Sequence, residues 1–398
     1  MTRLTQPLRV LSLVVVGLLT ACPAPEAVPV DPSPDASEDT DQVDSDQGDS
    51  AQDDAGDTED TADTDASEDD PSLAITPEGM ERAADYSAAA GGIAVLVWQD
   101  GEVIFERYDN GGDADTAPHI YSATKAFWAA GLAAARQDGL ITDLDEPVVE
   151  TITEWQDGAT HPGKDAITLR QLTTLSSGLS QDFLRIGPEP RVDDIYQYVI
   201  DDLNLVNTPG ESFSYGPSQY YVFAVVLDRK LQAAGFDNGP LAWLDERILD
   251  PMGLSYDDWL HDNAGNPHIP NGAYLNAREL LKFGIFLLRR GAPDDQAIID
   301  APYIDDLLIA DGPNQGHGRF LWINDPAGHG VSASDRSPPG SPGGFLYHQG
   351  LPTMFAGLGR GRNGVYILPE EEAVIVRLTI EDHTEFIDHE FFSHLFSE

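Results

Sequence analysis

The chain has 398 residues, with 69 acidic against 22 basic side chains and a formal net charge of −47 at neutral pH. Such a charge argues against nucleic acid and against an anionic membrane surface as partners, because both would repel the protein. The single cysteine excludes an internal disulfide, so burial of apolar side chains must stabilise the fold.

The N-terminal segment predicts an export signal followed by a lipid anchor. Basic residues precede the apolar run Val10–Leu19, which is too short to cross a bilayer. The following Leu-Thr-Ala-Cys resembles the lipobox of bacterial lipoproteins, where cleavage leaves a diacylated cysteine; a plain secretory signal is the alternative. We therefore expect residues 1–21 to be a lipoprotein signal peptide. Cys22 would then be the protein's only membrane anchor, in the periplasm or outer membrane of a bacterial cell envelope.

Residues 22–72 are predicted to be an acidic, disordered tether. The segment is rich in Asp, Glu, Ser, Thr, Ala and Pro, and lacks Lys and Arg. It cannot bury enough apolar surface to offset the entropy lost on ordering. Calcium binding by Asp57–Asp65 is the alternative, but these residues lack the glycine turn and terminal glutamate of an EF-hand loop. The globular part is expected to span residues 73–398.

The globular part is expected to start with a hairpin and to continue with helices. Gly92–Trp98 and Val103–Tyr108 are predicted strands joined by a tight Asp-Gly turn. Apolar runs and helix-capping residues predict the next elements. They are a helix with Ser122 in its first turn, a loop at Leu140–Val149, and helices at Ile167–Leu175, Gln219–Ala234 and from Asn276 to Arg290.

Strands return near the end of the sequence. The predicted strands are Thr353–Leu358, Gly364–Leu368 and Ala373–Ile380, followed by an amphipathic helix containing Phe386 and Leu395. Two strands first, helices between and three strands last predict an α+β fold. Its sheet would be assembled from both chain ends, with a mostly helical lobe inserted. The histidines at 383, 389 and 394 do not share a helix face at ligand spacing, so we expect no metal site there.

Ser122 and Lys125 form a candidate nucleophile and base. Three residues apart in a helix, they would lie on the same face. A lysine can remove the proton of a serine hydroxyl where its surroundings keep the amine neutral. The free N–H groups at a helix start then favour the negative charge that develops on an attacked carbonyl. The alternative is an ordinary amphipathic helix with a capping serine and a surface lysine.

Several segments together resemble the serine β-lactamase and penicillin-binding-protein superfamily, specifically the class C β-lactamase-related serine hydrolases. The resemblance covers residues 80–395 and implies the family's antiparallel sheet flanked by helices, as in β-lactamases and D-alanyl-peptidases. The matching segments are Tyr121–Phe127 for the nucleophile motif, Leu172–Leu179 for the stretch after it, Pro209–Tyr215 for the second-motif segment, and Asn271–Leu280 for a glycine-rich turn and helix start.

The resemblance implies a role for each candidate residue. Ser122 would be the nucleophile, Lys125 the group that helps to deprotonate it, and Tyr215 the proton shuttle to the leaving group. Cationic or hydrogen-bonding neighbours would hold Tyr215 partly as phenolate, and burial would favour neutral Lys125. Attack would give an acyl-enzyme on Ser122 that water hydrolyses, and no cofactor is implied.

The chain departs from the family at the second and third motifs. After Tyr215 and Gly216, Pro217 replaces the family's asparagine, so that amide is missing from the site. The Lys-Thr-Gly motif is absent, and Gly357-Leu358-Gly359 is its favoured counterpart. In the family the next N–H completes the oxyanion hole, which would make Arg360 the donor here. The alternative counterpart is His348-Gln349-Gly350.

The missing lysine affects the expected substrate. In β-lactamases and D-alanyl-peptidases it helps to bind the substrate's carboxylate, so this acidic protein should bind such anions poorly unless Arg360 or Arg362 supplies the charge. We expect an esterase or amidase acting on a small or peptide-like acyl substrate. The alternatives are β-lactamase or D-alanyl-D-alanine carboxypeptidase activity, and a non-catalytic envelope binding lipoprotein of the same fold.

Overall fold

The computed structural model describes residues 73–294, 296–328, 346–347, 349–380 and 386–396. These residues belong to one compact unit. Among them, no helix combines the length and apolarity that a membrane span requires. No cluster of His, Cys, Asp and Glu in the described ranges is arranged to hold a metal ion. The predicted signal peptide, the tether and Cys22 lie outside the described residues.

The strands of the described region form a large and a small sheet. They are β1 (Gly92–Gln99), β2 (Glu102–Tyr108), β3 (Asp258–Trp259), β4 (Ala273–Tyr274), β5 (Trp322–Ile323), β6 (Phe355–Leu358), β7 (Gly364–Leu368) and β8 (Ala373–Thr379). The large antiparallel sheet has the order β2-β1-β8-β7-β6-β5, and β3 pairs with β4. The β1–β8 pairing joins the two ends of the globular part, which confirms the predicted α+β fold.

Most helices lie between β2 and β6 in the chain. Those of the described region are α1 (Pro77–Ala89), α2 (Lys125–Gln137), α3 (Leu169–Thr173), α4 (Phe183–Ile186), α5 (Ile195–Asp201), α6 (Ser218–Ala233), α7 (Gly239–Leu244), α8 (Ala277–Leu288), α9 (Ala301–Asp305) and α10 (Asp388–Phe396). Single 3₁₀ turns occur at Tyr121–Thr124, Val148–Glu150, Thr153–Gln156, Lys164–Ala166, Asp306–Leu308 and Arg360–Arg362, and a π turn at Asp245–Leu249.

The large sheet separates two hydrophobic cores. Side chains of successive strand residues point to opposite faces, so β1 contributes to both cores. Leu96 and Trp98 belong to the core that α2, α6 and α8 cover. Val95 and Val97 belong to the core on the other face, which α1 and α10 cover. The sheet is therefore buried on both sides, and α2 lies against it beside β6.

Arg377, on β8, links separate parts of the chain beneath the sheet. Its guanidinium is fully buried and donates to Ser87 Oγ at 3.1 Å and to the Ala90 carbonyl at 3.1 Å. It also donates to the carbonyls of Gly361 and Arg362, in the turn after β6. This one side chain therefore ties the end of α1 to the β6–β7 turn.

The structure corrects the predicted bounds of several elements. Ser122 lies in a 3₁₀ turn and α2 begins only at Lys125. The helix predicted from Ile167 is shorter, because the Thr168 side chain accepts from Gln171 N and starts α3 at Leu169. The last helix starts at Asp388, so Phe386 precedes it. The structure also contains elements that were not predicted, namely α1, α4, α5, α7, α9, β3, β4 and β5.

Candidate active site

Ser122 and Lys125 are in direct contact at the start of α2. Lys125 Nζ donates to Ser122 Oγ at 2.6 Å and to the Pro270 carbonyl at 2.9 Å. The 3₁₀ turn that holds Ser122 is closed by Ala123 N, which donates to the Ile120 carbonyl at 3.2 Å. The short sequence spacing therefore does bring the candidate nucleophile and the candidate base together.

Burial suits Lys125 to accept a proton. The side chain is only 5% exposed, and burial lowers its pKa well below the usual value for lysine. The physical cause is that the ammonium form loses its hydration inside the protein. Nζ lies 5.1 Å from the ring centroid of Tyr215 and 4.9 Å from that of Tyr220. A neutral amine there would keep N–H donors for Pro270 and a lone pair for Ser122.

Tyr215 lies beside the same pair. Burial raises the pKa of its hydroxyl to about 12, while a hydrogen bond with Ser122 and the charge of Arg362 lower it in part. The expectation that neighbouring groups hold Tyr215 partly as phenolate is therefore wrong for this structure, because desolvation outweighs them. Tyr215 therefore keeps its proton at neutral pH and has an O–H to donate.

Pro217 and Gly216 shape the second motif without supplying an amide. Pro217 caps the start of α6 and offers no side-chain hydrogen bond. A Cβ on Gly216 would lie 2.1 Å from Gln181 Oε1, so a larger residue there would displace this side chain. Gln181 Oε1 also accepts from Ser218 N at 3.2 Å. Another amide thus packs beside the position from which the family's asparagine is missing.

Gln219 connects the second motif to the Leu172–Leu179 stretch. Its Oε1 accepts from Ser177 N at 2.9 Å, and its Nε2 donates to the Ser214 carbonyl at 2.8 Å. Ser214 N in turn donates to the Leu175 carbonyl at 2.8 Å. The resemblance identified both segments but gave no reason for their association; this buried glutamine provides it.

The end of β6 packs directly on the Ser122 turn. A Cβ on Gly359 would lie 2.0 Å from Ile120 O and 3.1 Å from Ser122 N, and one on Gly357 would lie 2.7 Å from Ala126 Cβ. Both glycines are therefore required for this close approach. Arg360 follows directly and is exposed. The structure brings the favoured third-motif segment to the nucleophile, whereas the alternative, His348, lies outside the described residues.

The turn before α8 forms the remaining wall around Lys125. The Pro270 carbonyl of this turn accepts from Lys125 Nζ, and Ala273 N donates to Thr124 Oγ1 at 3.2 Å. Ile120 N donates to the Ala273 carbonyl at 3.1 Å. The sequence resemblance included this turn without a role, and the structure shows that its backbone contacts Lys125 and Thr124.

His317 and Trp322 complete the site and were missed by sequence reasoning. His317 is 1% exposed, and its ring centroid lies 5.1 Å from that of Trp322 and 5.4 Å from that of Phe213. Trp322 lies 5.5 Å from the Tyr215 ring. Burial lowers the pKa of His317 to about 3. No motif or spacing marked these residues, because only the packing of β5 beside β6 brings them here.

Comparison with known proteins identifies the family. The sequence profile of the Beta-lactamase family matches residues 77–391. Protein Rv1367c of Mycobacterium tuberculosis H37Rv is 25% identical in an alignment of 267 positions, which covers 52% of this chain and 65% of that protein. The chain thus spans slightly less than two thirds of this relative's length.

Solved structures share the fold. A penicillin-binding protein homologue from Caulobacter crescentus superposes with a TM-score of 0.59 at 15% identity, covering 81% of this chain and 97% of that one. EstCE1, a hydrolase with promiscuous acyltransferase activity, gives a TM-score of 0.58 at 16% identity, covering 80% and 99%. At this identity the structures support the fold, and the profile match assigns the relationship: the chain belongs to the β-lactamase family.

Proposed function

We propose that this protein is a serine hydrolase that forms an acyl-enzyme on Ser122 and cleaves esters or amides of small or peptide-like acyl groups. The observation that carries the proposal is the 2.6 Å contact between Ser122 Oγ and the buried Nζ of Lys125. Family membership and the likeness to EstCE1, described as a hydrolase, agree with it.

In the proposed reaction, neutral Lys125 accepts the Ser122 proton while Oγ forms a bond to the substrate's carbonyl carbon. The backbone N–H groups of Ser122 and Arg360 would stabilise the resulting oxyanion, since β6 ends against the Ser122 turn. Tyr215 then gives its proton to the leaving oxygen or nitrogen as the carbonyl carbon releases it, and takes a proton back from Lys125. Water next attacks the acyl-enzyme, which releases the acid and restores Ser122.

The absence of the family's asparagine and lysine is the reason for favouring simple esters and amides. Pro217 offers no side-chain amide, and Gly357-Leu358-Gly359 carries no cation in place of Lys-Thr-Gly. A substrate that depends on both groups for binding would be held less tightly. The test therefore has competing outcomes. They are β-lactamase activity, D-alanyl-D-alanine carboxypeptidase activity, or no activity, as expected of a non-catalytic binding protein.

The test uses residues 73–398, a p-nitrophenyl acyl ester and a chromogenic cephalosporin. We expect ester turnover that Ser122→Ala lowers at least about a thousandfold. Ser255→Ala, at an exposed serine elsewhere, is the matched control and should retain full activity. A serine-reactive fluorophosphonate should add to the native protein and not to Ser122→Ala. Turnover by Ser122→Ala equal to that of the native protein would refute the mechanism, and cephalosporin turnover would favour the β-lactamase alternative.

We also propose that the protein is exported and lipid-anchored in the bacterial cell envelope through Cys22. The support is the sequence alone: a basic start, a short apolar run and Leu-Thr-Ala-Cys. Expression of the full chain in a bacterial host with radiolabelled palmitate should label the protein in the membrane fraction. Cys22→Ser should remove the label, and a label that persists in this variant would refute the anchor.

A further inference from the structure

The side chain of Asn363 joins three backbone segments around the candidate site. Asn363 ends the β6–β7 turn and is 1% exposed. Its Nδ2 donates to the Arg360 carbonyl at 3.0 Å and to the His119 carbonyl at 3.4 Å. Its Oδ1 accepts from Thr379 N at 2.7 Å, at the end of β8. Both the donor and the acceptor group of this buried amide are therefore engaged.

The backbone of the same turn directs the N–H of Arg360 outward. Gly359 N donates to the Asn363 carbonyl at 2.7 Å, and Arg362 N donates to the Gly359 carbonyl at 3.0 Å. In a trans peptide the C=O and the following N–H point in opposite directions. Because the Gly359 carbonyl points into the turn, the N–H of Arg360 points out of it. This N–H is the one assigned above to the oxyanion hole.

The Asn363 amide also reaches the segment that carries the nucleophile. His119 lies three residues before Ser122 and leads into its 3₁₀ turn. A Cβ on Gly359 would lie 3.1 Å from Ser122 N, so the two backbones are already close at this point. Asn363 Nδ2 contacts one carbonyl on each side of this approach, those of Arg360 and His119. One group thus links both segments that supply the proposed oxyanion donors.

Arg377 supports a different part of the turn. It donates to the carbonyls of Gly361 and Arg362, whereas the Arg360 carbonyl is bound by Asn363. An oxyanion hole acts only when its donors lie about 2.7–3.1 Å from the oxygen that becomes negative. A misplacement of about 1 Å in an active site can cost a rate factor of about 100. The residue that holds the two donor segments together therefore matters for the reaction without contacting the substrate.

We propose that Asn363 is a positioning residue for the oxyanion hole, because its amide holds the N–H of Arg360 at a fixed distance from the N–H of Ser122. The inference rests on the proposed hydrolase function and adds to it a residue outside the predicted motifs. A side chain without an N–H donor, such as alanine, cannot make the two contacts to the carbonyls.

Asn363→Ala tests the positioning role with the p-nitrophenyl acyl ester. The oxyanion forms only in the transition state, so the variant should lower kcat and kcat/KM equally, by roughly 10- to 100-fold, and leave KM unchanged. The pH at which kcat/KM rises should stay the same, because Asn363 does not contact Lys125. Asn363→Ser retains one O–H donor and should lose less activity. It carries the test if the alanine variant does not fold.

Asn324 is the matched control for the loss of a buried amide. It is 2% exposed, its Oδ1 accepts from Tyr347 N, and its Nδ2 donates to the carbonyls of Tyr347 and Leu351. Asn324 N donates to the Met354 carbonyl, at the end of β6 away from Gly359. Asn324→Ala should therefore lower the urea midpoint of unfolding, as Asn363→Ala does, but leave kcat unchanged.

Two results would overturn the positioning role while the hydrolase function stands. One is an unchanged kcat in Asn363→Ala. The other is an equal loss of kcat in Asn324→Ala, which would attribute the effect to general destabilisation.

Amide hydrogen exchange separates the positioning role from the hydrolase function. Asn363→Ala should speed exchange in residues 119–123 and 359–362, and Asn324→Ala should not. If the native protein has no turnover and Ser122 takes no fluorophosphonate, this pattern would support the positioning role and refute the function. Unchanged exchange in both segments of Asn363→Ala would then refute both.

Discussion

Lys125 is a residue whose environment opposes its ordinary charged state. It lies between the rings of Tyr215 and Tyr220 and contacts Ser122 and the Pro270 carbonyl. Burial lowers the pKa of Lys125 and raises that of Tyr215 to about 12, in both cases because the charged form is desolvated. At neutral pH the shifts thus favour a neutral amine on Lys125 and a protonated hydroxyl on Tyr215, as the proposed mechanism requires.

The pH dependence of the reaction follows from these two shifts. Lys125 must be neutral to act, so kcat/KM should rise with pH through the lowered pKa of Lys125 and level off well below 10.5, the ordinary lysine value. Tyr215 must stay protonated, and its pKa of about 12 predicts no alkaline decline below that pH. A pH profile of kcat/KM with a neutral ester, from pH 5 to 11, measures the expected rise and shows whether an alkaline decline occurs.

A second buried lysine provides the control for this profile. Burial lowers the pKa of Lys164 to about 8, but this residue contacts the Ile200 carbonyl and the Trp155 ring, away from Ser122. Lys164→Met should therefore leave the rising limb in place, whereas Lys125→Met should abolish turnover. A decline between pH 8 and 10 in the native protein would contradict the proposed role of Tyr215.

At the scale of the element, two helix glycines have opposite roles. A Cβ on Gly284 of α8 would lie 2.4 Å from Val374 Cγ1 and 2.6 Å from Val365 Cγ2. Both valines belong to the buried face of the sheet, so the helix would have to move away from it. Gly131 of α2 has room: the nearest atom, on Trp128, would be 3.4 Å away. Gly284 thus allows α8 to lie close to the sheet, whereas the packing of α2 does not require Gly131.

The same substitution should therefore have opposite effects at the two sites. Gly284→Ala should lower the free energy of unfolding by roughly 1–3 kcal/mol, as overpacked cores do. Gly131→Ala should raise it by roughly 0.5–1 kcal/mol, because alanine loses less backbone entropy in a helix. Urea unfolding of the two variants measures both changes. Destabilisation of similar size in both would show that α2 is packed as closely as α8.

The elements that the sequence predicted are those with strong local signals. The β1–β2 hairpin has an Asp-Gly turn, and the Asn276 side chain caps α8 by accepting from Glu279 N. Helix α1 was missed although Thr76 and Pro77 mark its start. Met80 and Tyr86 are its only large apolar side chains, and Gly79 in its first turn lowers helix propensity. That glycine is explained only by packing, since a Cβ there would lie 2.0 Å from the Leu395 carbonyl of α10.

The candidate site likewise combines residues that local sequence signals predict with residues that they do not. Ser122, Lys125 and Tyr215 stand in short motifs, and the structure places all three together. His317 and Gln181 reach the site through packing between segments that are distant in the chain, so no local pattern could identify them. The phenolate expectation was wrong for a related reason: the degree to which Tyr215 is buried depends on the whole fold.

At the scale of the whole molecule, the sheet depends on both ends of the globular part. β1 pairs with β2 on one side and with β8 on the other, and α1 packs on α10. Arg82 Nε donates to the His394 carbonyl at 3.3 Å, so the first and last helices also share a hydrogen bond. The completed sheet thus needs strands from opposite ends of the sequence, although they are neighbours in space.

A truncated chain and a permuted chain should behave differently. Removal of residues 373–398 takes away β8 and α10, and with them the partner of β1, so the remaining protein should not fold. A circular permutant that links residue 396 to residue 76, with new ends at the exposed Gly235, keeps every strand and should fold. Circular dichroism and protease resistance measure both outcomes. A folded truncated chain would show that β1 and β2 need no C-terminal partner.

The β1–β8 pairing also delays completion of the sheet while the protein is being synthesised. β2 ends at Tyr108 and β8 ends at Thr379, so at about 5–20 residues per second the ribosome needs roughly 15–50 s to supply the missing strand. Throughout that interval the apolar β1 has no lasting partner on its β8 side, so the large sheet cannot be completed. For a protein proposed to leave the cytoplasm, this delay would give the chain time to reach a membrane pore before the sheet is complete.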